Sequence, residues 1–235
     1  MKRFLSARWQ DLVMANYEIS PEVLRDFVPR GTEIDYWNGE CYASLVAFKF
    51  ADTAVLGFRI PFHVNFEEIN LRFYVRRETA EETRRGVVFV KEIVPRRAIC
   101  LVANTLYGEK YEVWQTKSAL QPGFLSYFWS KGDCQNRITI ESDGNSLGIP
   151  DENSHESFII EHYWGYTKLN DRKTGEYKVE HPKWELKEIK NVEIAVDFAA
   201  TYGERFAFLN QAEPRSVLFA VGSEISVYKG EKIVL

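Results

Sequence analysis

Residues 66–77 alternate between two chemically different faces at period two, the mark of a strand with unlike surroundings on its two sides. Ile69, Leu71, Phe73 and Val75 form one face, and Glu68, Asn70, Arg72 and Tyr74 form the other. The polar face is either solvated or lines a cavity inside a curved sheet. The dense β-branched run 86–94, ended by Pro95, supplies an antiparallel partner. Upstream, Asn38-Gly39 is a hairpin turn signal followed by the aromatic and aliphatic run 42–50, so strands flank that turn. Strand-like segments recur at 112–116, 124–130, 136–142, 157–168 and 176–186, and 216–228, broken by Gly222, reads as a closing strand pair.

Helical spacing appears in three places. Ser20-Pro21-Glu22 combines an N-cap serine with proline at the first helical position and opens onto Val23, Leu24 and Phe27, a short helix that Pro29 stops. Ile99, Val102, Ala103 and Leu106 predict a helix over 96–107 with Gly108 as its stop, and 197–209 reads as another. With no long linker and no repeat at solenoid period, the economical reading is one α+β domain over 1–235: a large antiparallel sheet and a few packed helices.

At 235 residues, 45% hydrophobic and 27% charged, the chain can bury a sizeable core unaided. Cys41, Cys100 and Cys134 are odd in number and far apart, which argues against a disulfide framework or a zinc cluster and for a reducing compartment. Lys2 and Arg3 precede no unbroken apolar core and no membrane span follows, so the expected location is the cytoplasm. A net charge of −4 with both signs interspersed offers no nucleic-acid face. Arg76, Arg77, Arg84 and Arg85 bracket the acidic segment 78–82 and read as a solvated hairpin tip.

Six stretches carry a family resemblance: MANYEISPEVLRDFVPRGTEID, NFEEINLRFYVRR, RRGVVFVKEIVPRRAI, EHYWGY, VEHPKW and PRSVLFAVGSEISVY. Together they resemble the YqjF-like family of uncharacterised bacterial proteins, over nearly the whole chain. That family is grouped with the acetoacetate decarboxylase-like superfamily. The resemblance implies a strongly bent antiparallel sheet or cone-like barrel enclosing a small-molecule cavity, with helices packed around it. In the decarboxylase, a lysine in a Gly-aromatic-Pro-Lys-Lys segment forms a Schiff base with a β-keto acid, its pKa lowered by an apolar site and the neighbouring cation. The similar segment here is Tyr107-Gly108-Glu109-Lys110-Tyr111. Without a gap Lys110 falls on the proline and Tyr111 on the catalytic lysine; a one-residue gap brings Lys110 onto the catalytic position. Glu18 stands where the decarboxylases place an arginine, and the pocket-strand glutamate is retained as Glu68 or Glu67. Decarboxylation by the lysine mechanism is therefore not expected.

The candidate catalytic residues are Glu68 as a general base, Arg72 as a bidentate partner for a ligand carboxylate or phosphate, Tyr111 to orient a carbonyl, and Lys110. Glu68 and Arg72 stand roughly 13 Å apart along one strand face. Asn70, Tyr74, Arg97 and His63 are candidate ligand contacts, His63 as a cavity gate. The bland reading makes the polar face a set of cross-strand pairs on an exposed sheet. In Lys91-Glu92 and Arg96-Arg97 one member of each pair points inward, so Lys91 or Arg97 is a candidate partner for Glu68. Glu161-His162 and Glu180-His181 invite a metal reading, but their spacing has no ligand signature and their aromatic neighbours suit core or rim histidines. No cofactor or metal is expected. The leading expectation is a cavity that binds or acts on a small carbonyl or carboxylate compound without a Schiff-base lysine. The alternatives are a non-catalytic binding or sensing module and a metal-dependent enzyme using His162 and His181. The implied partner is a small molecule, and the decarboxylase relatives imply self-association.

Overall fold

The computed structural model describes residues 1–234. In chain order its strands are β1 (Arg3–Glu18), β2 (Glu33–Ile34), β3 (Tyr42–Val55), β4 (Phe66–Glu78), β5 (Thr83–Val94), β6 (Tyr111–Val113), β7 (Gln115–Gln121), β8 (Phe124–Lys131), β9 (Cys134–Glu141), β10 (Ser146–Gly148), β11 (Trp164–Asn170), β12 (Lys173–Glu180), β13 (Leu186–Lys187), β14 (Asn191–Ala195), β15 (Ser216–Tyr228) and β16 (Glu231–Val234). The helices are α1 (Pro21–Leu24), α2 (Arg97–Leu106), α3 (His155–Ile160) and α4 (Phe198–Tyr202).

Seven strands close on themselves. Neighbours follow in the order β15-β1-β3-β4-β5-β11-β12, and β12 returns to β15 where Val179 faces Val227 and Glu180 faces Ser226. The pairing is antiparallel except along one side of β5, where Gly86 and Val87 meet Trp164 and Gly165 of β11 in parallel and β6 joins the far end in parallel. This is the bent, cavity-enclosing α+β architecture expected from the sequence. A second antiparallel sheet, β14-β9-β8-β7, covers one flank.

Strand β4 divides the two cores. Ile69, Leu71, Phe73 and Val75 are fully buried and cluster with Leu125, Tyr127, Trp129 and Ile138 of the second sheet. Tyr74, on the opposite face, packs inside the barrel with Val46, Phe48 and Phe50. The alternation read from the sequence thus resolves into an apolar face under the second sheet and a polar face turned into the lumen.

A bulge in β5 sets which of its residues enter the lumen. Leu71 faces Lys91 but Arg72 faces Phe89, leaving Val90 as the extra residue. Inward parity therefore switches, with Val87 and Phe89 inside before the bulge and Glu92 and Val94 inside after it. Lys91 is turned out and pairs with Glu112 at 2.9 Å.

Five local expectations need correction, the last of them at Gly222. Residues 155–160 form a helix rather than the start of a strand, because the Ser154 hydroxyl accepts the Ser157 N–H and caps a turn; the strand begins at Trp164. The helix read over 197–209 is split at Gly203, φ 105°, into α4 and a 3-10 stretch. The segment 112–116 is divided between β6 and β7. The hairpin arginines are not simply solvated. Arg77 and Arg84 close on the buried Glu176 at 3.0 and 2.8 Å, and Arg85 bonds Asp35 at 2.6 Å. Among the described residues no helix is long and apolar enough to cross a membrane.

Gly222 does not break β15, which runs through it opposite Gln10 of β1. Its φ of 83° and the closeness of β1 leave no room for a side chain, since a Cβ there would lie 2.1 Å from the Trp9 carbonyl oxygen. Gly222→Ala is expected to cost about 1–3 kcal/mol in backbone strain alone, with the overlap adding to it, read as a lowered midpoint in urea unfolding.

Candidate functional site

The barrel encloses a cavity of about 200 Å³. Its walls are largely aromatic and aliphatic, with Trp9, Phe50, Phe66, Phe89 and Trp184 among them. Ile60 and His63 of the loop after β3, and Ile99 and Val102 of α2, also border it. A largely apolar lining of this kind makes any charge inside it costly unless partnered.

Three carboxylates nevertheless share the lumen. Glu68, on β4, accepts hydrogen bonds from the Asn70 amide at 3.1 Å and the Tyr111 hydroxyl at 3.0 Å. Glu92 stands opposite Asn70 across β4–β5 and beside Tyr111 across β5–β6. Glu109 precedes Tyr111 by two residues and is likewise buried. Glu92 Oε2 and Glu109 Oε1 have no hydrogen-bond partner. Tyr177 completes the group from β12, its ring lying over Gly165, where a Cβ would fall 2.1 Å from the Tyr177 ring.

Burial pushes Glu68 up to about 7, with the Glu109 charge adding to the effect against the bonds from Asn70 and Tyr111. Burial also pushes Glu109 up to about 7, opposed by the nearby Thr167 and Tyr177 hydroxyls. Glu92 rises well above the carboxylate range, from burial first and then from Glu109 and Glu68. Ionising Glu68 or Glu109 in place costs roughly 3 kcal/mol relative to water. At neutral pH Glu92 therefore keeps its proton while Glu68 and Glu109 stand near the midpoint of their titration, and the three titrate as a unit, so they can donate and accept within one cavity. Burial and the same carboxylates hold the Tyr111 phenol protonated.

Arg72 also faces the lumen. One of its nitrogens donates to the Ile159 carbonyl at 3.3 Å, while Nε has no partner. His162 Nε2 lies 3.1 Å from Asp35, whose carboxyl resists burial because His162 and Arg85 keep it below the usual range. Asp35 being ionised, Nε2 carries the proton and Nδ1 is left as an unpartnered acceptor. His181 stacks on Trp184 with ring centroids 4.1 Å apart and bonds the Pro182 carbonyl. Burial pushes both imidazoles down to about 4, so both are neutral.

Glu68, Arg72, Tyr111 and His63 thus border one cavity. Asn70 and Tyr74 lie behind it, Asn70 holding Glu68 and Tyr74 bonding Ser44 at 2.6 Å. Glu67 turns outward to Ser118 and Thr116 of β7, which identifies Glu68 as the inward glutamate. Lys110 lies outside the lining, its ammonium 4.4 Å from the Phe27 ring centroid, and Arg97 is exposed at the start of α2. Neither Lys91 nor Arg97 is the inward partner anticipated for Glu68. Among the described residues no lysine lines the cavity, and no three His, Cys, Asp or Glu side chains are grouped as metal ligands would be. Sequence reasoning missed Glu92, Glu109 and Tyr177. The inward member of Lys91-Glu92 was open in the sequence, but the bulge that selects glutamate has no sequence signature.

A family model described as an uncharacterized conserved protein, DUF2071, matches residues 6–224. The chain belongs to this family. It is 24% identical over 220 residues to the uncharacterized protein YqjF of Bacillus subtilis, covering 90% of this chain and 88% of that one. Among solved structures it resembles acetoacetate decarboxylase from Legionella pneumophila, with a TM-score of 0.69, 10% identity and coverage of 99% of this chain and 88% of that one. It also resembles the enduracididine biosynthesis enzyme MppR complexed with pyruvate, with a TM-score of 0.68, 12% identity and coverage of 99% and 91%. These likenesses establish an acetoacetate decarboxylase-like fold; at such identities they carry the fold alone.

The raised carboxylates have a signed consequence. From about pH 4.5, where an unfolded glutamate ionises, to about 7, the folded chain keeps protons that the unfolded chain has lost, so stability falls as pH rises. Glu92→Gln, which mimics the protonated carboxyl, is expected to raise the melting temperature at pH 8 and to change it little at pH 4.5, as thermal melts across that range would show.

Proposed function

We propose that the barrel interior binds a small carbonyl or carboxylate compound non-covalently and acts on it by proton transfer. Arg72 takes the ligand's carbonyl or carboxylate oxygen, and the Glu68–Tyr111 pair with Glu92 supplies and removes protons. The observation that carries this reading is a largely apolar cavity lined by three carboxylates of raised pKa and one arginine, with no lysine in its lining. A Schiff base needs an amine nucleophile; Tyr111, which the ungapped resemblance sets at that position, donates to Glu68, and Lys110, which a one-residue gap would set there, lies outside the lining. The unpartnered Arg72 Nε supports an oxygen-bearing ligand, because a buried guanidinium N–H without an acceptor is costly. The pyruvate seen in MppR, which shares the fold, makes keto acids the natural first probes.

Calorimetric titration with pyruvate and phenylpyruvate is expected to show binding that Arg72→Met weakens by about tenfold or more, the worth of a charged hydrogen bond. Borohydride added to the complexes is expected to leave every lysine unmodified by mass mapping. An adduct at Lys110 or Lys91 would overturn the non-covalent mechanism, and absence of binding by both keto acids would overturn the ligand class. Binding without turnover would make the chain a binding module instead of an enzyme.

A further inference from the structure

The lumen holds more negative capacity than its one arginine can match. Glu68, Glu92 and Glu109 all border the cavity, and the lysines adjacent in sequence to Glu92 and Glu109 are turned away, Lys91 onto Glu112 and Lys110 toward Phe27. Two of the carboxylates present a buried oxygen that no donor reaches, Glu92 Oε2 and Glu109 Oε1. Tyr111 stands beside Glu92 and Tyr177 beside Glu109, and Phe89 lines the same cavity. Unpaired carboxylate oxygens among aromatic rings are complementary to an alkylammonium, which offers three N–H donors and a charge that π-faces attract.

We propose that this end of the cavity is an ammonium subsite, so that the preferred carbonyl or carboxylate compound also carries an amine on an apolar body. The inference rests on the reading of the barrel interior as a small-molecule site and specifies what that site selects. In the empty cavity protons occupy the place of the cation, which is why the carboxyl trio tolerates burial; an entering ammonium displaces them. The other charged and titratable groups facing the trio are Arg72 from β4, Tyr111 from β6, Tyr177 from β12 and Cys100 from α2, with Lys110 behind Glu109. Burial holds both tyrosines and Cys100 in their neutral forms at pH 7, and Arg72 keeps a fixed charge, so the carboxyls are the groups that release protons. Neutral carboxyls retained on binding would instead donate to a ligand oxygen, and the sign of the pH dependence separates the two arrangements.

Benzylamine, phenylalanine and phenylpyruvate share an aromatic body and differ in the charged groups they carry. Calorimetry from pH 6 to 8, in buffers of different ionisation enthalpy, is expected to show benzylamine and phenylalanine binding with release of about one proton and with affinity that rises with pH. Glu92→Gln and Glu109→Gln, each isosteric, are expected to weaken benzylamine by about tenfold, and Glu109→Gln, which lies outside the proton-transfer group, to spare phenylpyruvate. If phenylpyruvate alone binds, with affinity falling as pH rises, the ammonium subsite is wrong and the small-molecule site stands. If none of the three binds, both fail. Amine binding without proton release, or unchanged in both variants, would also overturn the subsite.

Discussion

Strand β4 is buried on both sides, and most of the architecture follows from satisfying its two unlike faces. Ile69, Leu71, Phe73 and Val75 are removed from water by the second sheet. That placement turns Glu68, Asn70 and Arg72 away from the second sheet, and only a closed barrel can take such a face out of bulk solvent while leaving space in front of it. Closure is completed by the short β12–β15 pairing and by the tight approach of β15 to β1 at Gly222. Were the barrel open on that side, the polar face would be an ordinary wet sheet surface and its carboxyls would titrate normally.

Enclosure converts ordinary residues into unusual ones. A glutamate in water is ionised at neutral pH, whereas Glu68, Glu92 and Glu109 compete for too few donors in a low-dielectric space and so retain protons. The barrel wall is stiffened by ion pairs that leave the lumen itself uncompensated. Arg77 and Arg84 clamp Glu176, and Arg85 with His162 clamps Asp35. Positive charge is thus concentrated in and behind the wall, and within the cavity Arg72 stands alone as a permanent cation among the described residues.

The comparison with acetoacetate decarboxylase-like structures is one of scaffold. An aromatic donor occupies the segment in which the resemblance places a nucleophilic amine, and the Tyr111 hydroxyl is spent on holding Glu68. A bent barrel that excludes water from a small cavity serves covalent and non-covalent chemistry alike, because its contribution is the low-dielectric enclosure rather than any one side chain.

Much of this was legible in the sequence, where the governing signals are local. The period-two alternation of 66–77, the Asn38-Gly39 turn, now seen with both residues at positive φ and bridged by Trp37 and Glu40, and the helix ended by Gly108 all depend on neighbours a few residues away. So does the placing of Glu68 and Arg72 on one strand face, which the structure turns toward the cavity. Other features were decided by contacts far apart in sequence. The β5 bulge exists because β4 and β5 must curve together, and it alone sends Glu92 rather than Lys91 into the lumen. Glu109 and Tyr177 reach the same cluster only because β5, β6, β11 and β12 are drawn around one cavity. Sequence by itself determined that β4 has a polar face. Tertiary closure decided that this face is buried against a largely apolar cavity, and hence that its carboxyls hold protons more tightly than in water, because the cost of a charge depends on the surroundings that distant strands bring to it.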